Sequence, residues 1–145
     1  MKCDGCTFCC RVLDVPWLDK PAGELCRHAT ETGGCSLWPH NTPALCKAFA
    51  CMYRRETKCS PSLKPDACGV MFEQIDDKIV LGTVRKLVTK PMMSQVKAFN
   101  RMGLSVVLSE PGNRRKQVFP APGTGLMQVT SRVEEILREA QNGRA

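Results

Sequence analysis

The two halves of the chain differ in how their apolar residues are spaced. Residues 69–145 show regular hydrophobic patterns, whereas residues 1–68 show little periodicity and many turn-forming residues. Periodic apolar positions are the main sequence indicator of secondary structure, and a segment without them cannot readily bury a core of its own. We therefore predict an α+β protein with two regions, an irregular one of short helices and loops over 1–68 and a small unit over 69–145.

The second region predicts the element order ββαββα. The stretch "GVMFEQIDDKIVLGTV" indicates a hairpin that turns at residues 76–78, "LSVVLS" a short buried strand, and "QVFPAP" an edge strand that is ended by prolines. Between them, "KPMMSQVKAFNRMG" has Val96, Phe99 and Met102 at helical spacing and a glycine stop at Gly103.

The tail "VTSRVEEILREAQNG" predicts the last helix. Ser131 and Glu134 have the spacing of a capping box, Val133 and Ile136 begin the apolar face, and Gly143 follows. In the first region the best helical candidate is "TPALCKAFACMYRR", residues 42–55, with Thr42 as cap and Pro43 at the first helical position.

All cysteines lie in the irregular half. The chain has ten of them, at positions 3, 6, 9, 10, 26, 35, 46, 51, 59 and 68. No apolar run approaches the ~18 residues that span a bilayer, and no secretory signal pattern is visible, so we expect a cytoplasmic protein without a membrane span. In a reducing compartment dense thiols indicate metal rather than disulfides.

The spacing of the first thiols supports metal. A Cys-x-x-Cys turn places two sulfurs so that both can face one ion, with Zn–S near ~2.3 Å. Cys9 and Cys10 are adjacent, which makes them poor disulfide partners because a bridge between neighbours strains the backbone. As ligands they either point to two different metals, or one coordinates while the other packs.

The residues around these thiols carry a resemblance to a known family. The quoted segments are "CDGCTFCC", "GELCRHATETGGCSLW" and "CKAFACMYRR", and over about residues 3–53 they resemble the bacterial CxxCxxCC cysteine-cluster family, described as a zinc- or iron-chelating domain. The family's Arg-Pro appears here as Thr42-Pro43, a departure from the pattern. The resemblance implies eight metal ligands: Cys3, Cys6, Cys9, Cys10, Cys26, Cys35, Cys46 and Cys51.

Four further residues near the cluster have less support as ligands. Cys59 and Cys68 lie outside the match, and packing explains them better than a second pair of ligands. His28 and His40 flank the cluster and either could replace a cysteine, but a lone histidine near cysteines more often supports a ligand or lies at the surface.

Charge does not identify the partner. The formal net charge of +7 treats cysteines as neutral. Eight thiolates with two divalent ions, or with two iron–sulfur cubes of core charge 2+, would reduce it to about +3. Nucleic acid is therefore not expected, and we expect a protein partner. Residues 69–145 hold twelve Lys and Arg against seven acids, an excess that suits an acidic partner surface.

Two functions from different classes follow. The preferred one is a binding or structural module folded around zinc, either as two four-coordinate ions or as a binuclear site with shared sulfurs. The alternative is iron–sulfur redox or electron transfer, although the x3 spacing and proline of a bacterial ferredoxin run are absent. Some members of the resembled family carry the motif beside protein-lysine methylation activity. The resemblance therefore adds a further alternative, in which this protein is an accessory component of a protein-modifying enzyme. We expect no catalysis by residues 69–145, which lack cysteine, histidine and tyrosine.

Overall fold

The computed structural model describes residues 5–55, 61–85, 89–112 and 115–143, and it has the predicted α+β architecture. Cys3 and Cys59 lie outside the described residues. The first half consists of loops and short helices, whose bounds are α1 Phe8–Val12, a 3₁₀ turn Pro16–Leu18, α2 Ala44–Ala48, α3 Met52–Arg55, a 3₁₀ turn Pro61–Leu63 and α4 Pro65–Cys68.

The prediction of one continuous helix over residues 42–55 is wrong, because the structure has two short helices there. Phe49 adopts an extended conformation with φ −68° and ψ 127°, which ends α2 and separates it from α3. Pro43, in an extended conformation, takes the cap position. The Thr42 hydroxyl donates to the carbonyl oxygen of Leu37 at 3.0 Å and caps nothing. The chain therefore bends between Cys46 and Cys51 instead of carrying both on one helix.

The second half forms a four-stranded mixed sheet in the order β1-β2-β3-β4, with strands Val70–Asp76, Ile79–Val84, Ser105–Ser109 and Lys116–Phe119. The predicted hairpin is confirmed, since β1 and β2 pair antiparallel across the turn at residues 77–78. β3 lies parallel to β2, and β4 pairs antiparallel with β3 at the edge. The parallel pair requires a crossover, which the next helix provides.

Two long helices cover the two faces of this sheet. α5, Lys90–Arg101, places Met92, Val96 and Phe99 on the face formed by alternate residues of the strands. α6, Leu126–Asn142, packs Val129 and Val133 on the opposite face. The order ββαββα is thus confirmed, and each strand presents apolar residues to both sides because both sides are covered.

Two details of these helices differ from prediction. α6 begins after Gly125, so Ser131 and Glu134 lie inside the helix and form no capping box. Its start is earlier because Val129 is already needed to cover the sheet. Met102 is 72% exposed, since α5 ends at Arg101 and the chain turns away at Gly103, φ +82°.

The irregular half packs against the outer edge of the sheet. Met71 of β1 belongs to an apolar cluster with Phe8, Val12 and the thiols of Cys6 and Cys51. Val70 and Phe72 face the other way, toward α5. The first strand therefore contributes to the cores of both regions. Among the described residues, no helix is long and apolar enough to cross a membrane.

Candidate functional site

Six of the predicted ligands line one cavity in the irregular half. The cavity has a volume of about 450 Å³, and its thiols are those of Cys6, Cys9, Cys10, Cys26, Cys35 and Cys46. Trp38 and Phe49 add aromatic walls. Residues that are up to 40 positions apart in the chain thus share one space, which is the first requirement for a common ligand.

Local structure explains how these thiols come together. α1 carries Cys9 and Cys10, and the amide of Cys26 donates to the Cys10 carbonyl oxygen at 2.9 Å. Cys35 follows a Gly33-Gly34 turn and forms an isolated antiparallel bridge with Ala29. Cys46 is carried by α2. Backbone contacts therefore help to hold the segments of Cys10, Cys26 and Cys35 around the cavity.

The thiols of Cys51 and Cys68 do not line this large cavity. Cys51 lines a second, much smaller cavity of about 20 Å³ together with Cys6 and Cys9. Cys68 is buried in the core beneath α5, where its Sγ donates to the Val70 carbonyl oxygen at 3.2 Å. Cys68 thus packs in the core, which agrees with the interpretation of this residue as a structural thiol.

Burial governs the ionisation of several thiols. It is the main cause that raises the pKa of the Cys6, Cys46, Cys51 and Cys68 thiols. For Cys9 the pKa is also raised, first by a side-chain hydrogen bond with Cys10 and then by burial. These thiols therefore stay protonated at neutral pH unless a cation favours the thiolate.

Lys20 is a buried cation at the cavity wall, and only 6% of it is exposed. Its Nζ donates to the carbonyl oxygens of Arg11 and Pro21, at 3.1 and 3.0 Å, and to that of Leu13. Burial lowers the pKa of the ammonium, while the nearby Cys26 and Cys10 act to raise it. All three donors are used, so Lys20 ties the end of α1 to the following loop and holds a positive charge beside the thiols.

Arg54 is the second cation at the site. It lines both cavities, and its Nη1 donates to the Phe49 carbonyl oxygen at 3.0 Å. Its Nε is buried and has no hydrogen-bond partner among the described residues. A buried donor without a partner is costly, so this N–H is available to an acceptor that enters the site.

The two histidines do not line either cavity in the described part of the chain. His28 hydrogen-bonds on the surface with Ser36 and with Arg27, both at 3.4 Å. His40 is exposed. The two histidines thus lie beside the cysteine segments without lining the cavities, and their role stays a prediction.

The thiols surround a space but do not yet form a site for one ion. Among the described residues, no three His, Cys, Asp or Glu side chains are grouped closely enough to hold a metal. The donor chemistry nevertheless fits a soft metal, since reduced thiols and two cations line an otherwise apolar cavity. Lys20 and Arg54 could not be recognised from the sequence, because nothing about an isolated basic residue marks it as buried.

Comparisons of the chain with protein-family models, with curated proteins and with solved structures gave no match. The resemblance to the CxxCxxCC family therefore stays a prediction that rests on the cysteine motif.

Proposed function

We propose that this protein is a metal-binding module whose centre is held by the cysteines of residues 1–68. Zinc is the preferred metal and an iron–sulfur cluster the alternative. The observation that carries the proposal is the convergence of six thiols from four separate segments on one cavity. Cysteines that served only as packing residues would not be expected to converge on one cavity, and Cys68, which packs beneath α5, lines neither cavity.

The charges around the cavity support a negatively charged centre. Zinc held by four thiolates carries a net charge of about −2, as does a 2+ iron–sulfur cube with four cysteine ligands. Burying such a charge is costly unless it is paired. Lys20 and Arg54 supply two positive charges at the walls of the same cavity.

The thiols of this chain must do two things to bind metal. Each coordinating thiol has to lose its proton to water, and several must rotate toward a common point. A bound ion would supply the free energy that orders the loops between Cys6 and Cys51. Arg54 is placed to donate its free Nε–H to a thiolate once that thiolate has formed.

One observation favours the iron–sulfur alternative as a second candidate. The cavity of about 450 Å³ is larger than a single ion at ~2.3 Å from its sulfurs requires. A cluster of several iron and sulfide ions would fill more of it. This alternative gives the protein a redox or electron-transfer function instead of a structural one.

The test is metal analysis of full-length protein purified without air. We expect either about two zinc ions per chain and a colourless protein, or iron with acid-labile sulfide and a brown one. A natively folded protein that contains neither and takes up neither on reconstitution would overturn the proposal. Because the centre requires reduced thiols, we place the protein in a reducing compartment, the cytoplasm.

The proposed partner is a protein with an acidic surface. The solvent face of α5 carries Lys90, Lys97 and Arg101 at helical spacing, all exposed and without an ion pair among the described residues. Polyglutamate is a suitable acidic probe. A Lys90→Glu/Lys97→Glu variant should bind it more weakly than a Lys47→Glu/Lys116→Glu variant of equal net charge, and equal binding would count against this surface.

A further inference from the structure

We propose that the large cavity has a second ligand, a small organic acid with one carboxylate and an apolar body, and that this acid and the metal exclude each other. Arg54 binds the carboxylate, and the aromatic and aliphatic walls of the cavity bind the body. This inference goes beyond the proposed function, because the acid binds the metal-free protein and its binding does not depend on any metal site.

The walls of the large cavity are mainly apolar. Leu13, Val15 and Leu18 line it, and Trp38 and Phe49 add aromatic surface. Its volume of about 450 Å³ lies within the range of ~300–1,000 Å³ that is typical of small-molecule sites, which combine apolar walls with a few polar groups. An apolar body of matching size therefore gains binding free energy by leaving water for these walls.

The charged residues at the cavity wall are both cations. Lys20 and Arg54 line the cavity, and no Asp or Glu of the described ranges does so. The carboxylates of Asp14 and Glu24 act on Lys20 through their charge, but neither residue lines the cavity. Buried charges are stabilised by a charge of opposite sign, so the cavity selects an anionic ligand over a neutral one of the same shape.

Arg54 is the residue that can bind the carboxylate directly. Its Nη1 donates to the Phe49 carbonyl oxygen at 3.0 Å, whereas its Nε is buried and has no hydrogen-bond partner in the described part of the chain. Arg54 also forms no ion pair with any described residue. A carboxylate oxygen satisfies the Nε–H through a charge-assisted hydrogen bond, which is stronger than a bond between neutral groups.

Lys20 limits the ligand to one carboxylate. A lysine ammonium has three donors, and those of Lys20 are used by the carbonyl oxygens of Arg11, Leu13 and Pro21. Lys20 therefore adds positive charge to the cavity without a free N–H for a second carboxylate. A monocarboxylate held by Arg54 fits this arrangement better than a dicarboxylate.

The carboxylate anchor and the aromatic surface lie together. The hydrogen bond between Arg54 and the Phe49 carbonyl oxygen holds the guanidinium next to a residue that lines the same cavity. Aromatic rings pack favourably on one another, so an aryl group suits this part of the wall. Trp38 also lines the cavity, and a ligand that enters it changes the surroundings of the Trp38 indole.

The metal and the acid compete for one space and one donor. A metal centre would occupy the region that the thiols surround, and the proposed function gives the Nε–H of Arg54 to a thiolate of that centre. Arg54 lies close enough to the Cys9 thiol for its charge to act on it. When the acid is bound, its carboxylate takes this N–H instead, so each ligand lowers the affinity for the other.

Fluorescence titration of the full-length, reduced and metal-free chain with phenylbutyrate tests the inference. The chain has two tryptophans, and Trp17 is 72% exposed and does not line the cavity. A Trp17→Phe chain therefore reports on Trp38 alone, and we expect phenylbutyrate to change the Trp38 emission to saturation. Phenylbutanol, which has the same body without the charge, and acetate, which has the charge without the body, should bind at least tenfold more weakly.

Two variants locate the carboxylate. Arg54→Lys keeps the positive charge but removes the Nε–H, and it should weaken phenylbutyrate binding at least tenfold. Arg55→Gln, at the exposed neighbouring position, is the matched control and should leave this binding unchanged. Amide signals of the sheet and of α1 show whether each variant is folded. The comparison of the acid with the alcohol needs no Arg54 variant, so it tests the anchor even if Arg54→Lys fails to fold.

Zinc-loaded protein should bind phenylbutyrate at least tenfold more weakly than the metal-free chain, and equal affinity would overturn the exclusion. Absence of phenylbutyrate binding, equal binding of phenylbutyrate and phenylbutanol, or a folded Arg54→Lys chain that binds the acid normally would overturn the acid site while leaving metal binding intact. A chain that binds the acid but takes up neither zinc nor iron would overturn the proposed function and leave the acid site standing.

Discussion

The backbone of Gly33 lies directly against the backbone of Gly5. A Cβ on Gly33 would fall 2.1 Å from the Gly5 carbonyl oxygen and 2.5 Å from its Cα. Both glycines have positive φ, 79° and 77°. This contact places the turn that precedes Cys6 against the turn that precedes Cys35, and so joins two of the cysteine-bearing segments that line the large cavity.

Gly33→Ala should therefore damage the site. The new methyl group meets backbone atoms that cannot rotate away, and an alanine at this φ is strained by about 1–2 kcal/mol in addition. We expect zinc affinity to fall at least tenfold, as measured by competition with a chromophoric chelator.

The Gly123→Ala variant separates the effect of backbone strain from that of the steric clash with Gly5. Gly123 has nearly the same φ, 81°, but nothing lies within 4 Å of its Cβ position. This variant should show the backbone strain alone and keep its zinc affinity. Equal losses of affinity in the two variants would show that the contact with Gly5 has no particular importance.

Lys20→Met should lower the stability of the irregular half. It removes the donor from the carbonyl oxygens of Arg11, Leu13 and Pro21, and unpaired buried polar groups cost about 1–3 kcal/mol. Urea unfolding should show this decrease, whereas Lys47→Met, at an exposed position of α2, should be near neutral. If both variants unfolded like the unmutated protein, Lys20 would not hold the loop.

Arg54→Gln should weaken metal binding with little effect on the sheet. The change removes a charge and a buried N–H from the wall shared by the two cavities. A hydrogen bond to a charged group is worth about 1.5–3 kcal/mol, so we expect at least a tenfold loss of zinc affinity. Arg55→Gln, at the exposed neighbouring position, is the control. Unchanged affinity in the Arg54 variant would exclude a role for its Nε.

Removal of metal by a chelator should loosen residues 5–55 more than the sheet. The first region has small apolar clusters around its thiols, whereas the sheet has its own core with α5 and α6. Amide hydrogen exchange before and after chelation measures this difference. Equal loss of protection in β3 and α1 would mean that the chain unfolds as one unit.

We expect the free energy of unfolding to decrease at acid pH because of Asp76, which lies beside the hairpin turn. The pKa of Asp76 is lowered, first because the Lys78 amide donates to its Oδ1 at 2.8 Å and then because Arg132 Nε donates to its Oδ2 at 2.9 Å. Since the folded pKa lies below the unfolded value of about 4, the carboxylate stabilises the fold above that pH and loses its effect as pH falls through the folded pKa.

The Asp76→Asn variant should therefore have a lower free energy of unfolding than the unmutated protein at pH 7, and this difference should disappear toward pH 2. Urea unfolding at a series of pH values measures the difference. Glu31→Gln, which removes an exposed carboxylate without an ion pair among the described residues, should show no such gap. A gap that is constant with pH would mean that the charge of Asp76 is not its cause.

The sheet half could be predicted from sequence because its pattern is local. Alternating and helically spaced apolar residues predicted the four strands and two helices that the structure describes in this half. The predictions were wrong only at the ends of elements. One example is the start of α6 after Gly125, which allows Val129 to pack against the sheet. The irregular half offered no such pattern. The bend at Phe49 and the burial of Lys20 depend on contacts between distant segments, so no local rule predicts them.

The candidate ligands were found for a different reason. Thiols are rare, and their clustering is informative without any knowledge of the fold. The sequence left open whether Cys9 and Cys10 serve different metals or one of them packs, and it could not show that Cys9 packs in the cluster of Met71 and Cys10 in that of Val15. Arg54 and Lys20, as ordinary basic residues, carried no comparable signal.

The position of Met71 also sets an order of events during synthesis. Every proposed ligand precedes residue 52, whereas the strand whose Met71 packs against Cys6 and Cys51 begins at Val70. A chain made from its N-terminus therefore exposes these two cysteines to solvent before the residue that packs against them exists. An ion that binds the nascent chain meets them open, whereas one that arrives after release meets them buried. We expect metal to enter faster during translation than into the finished protein.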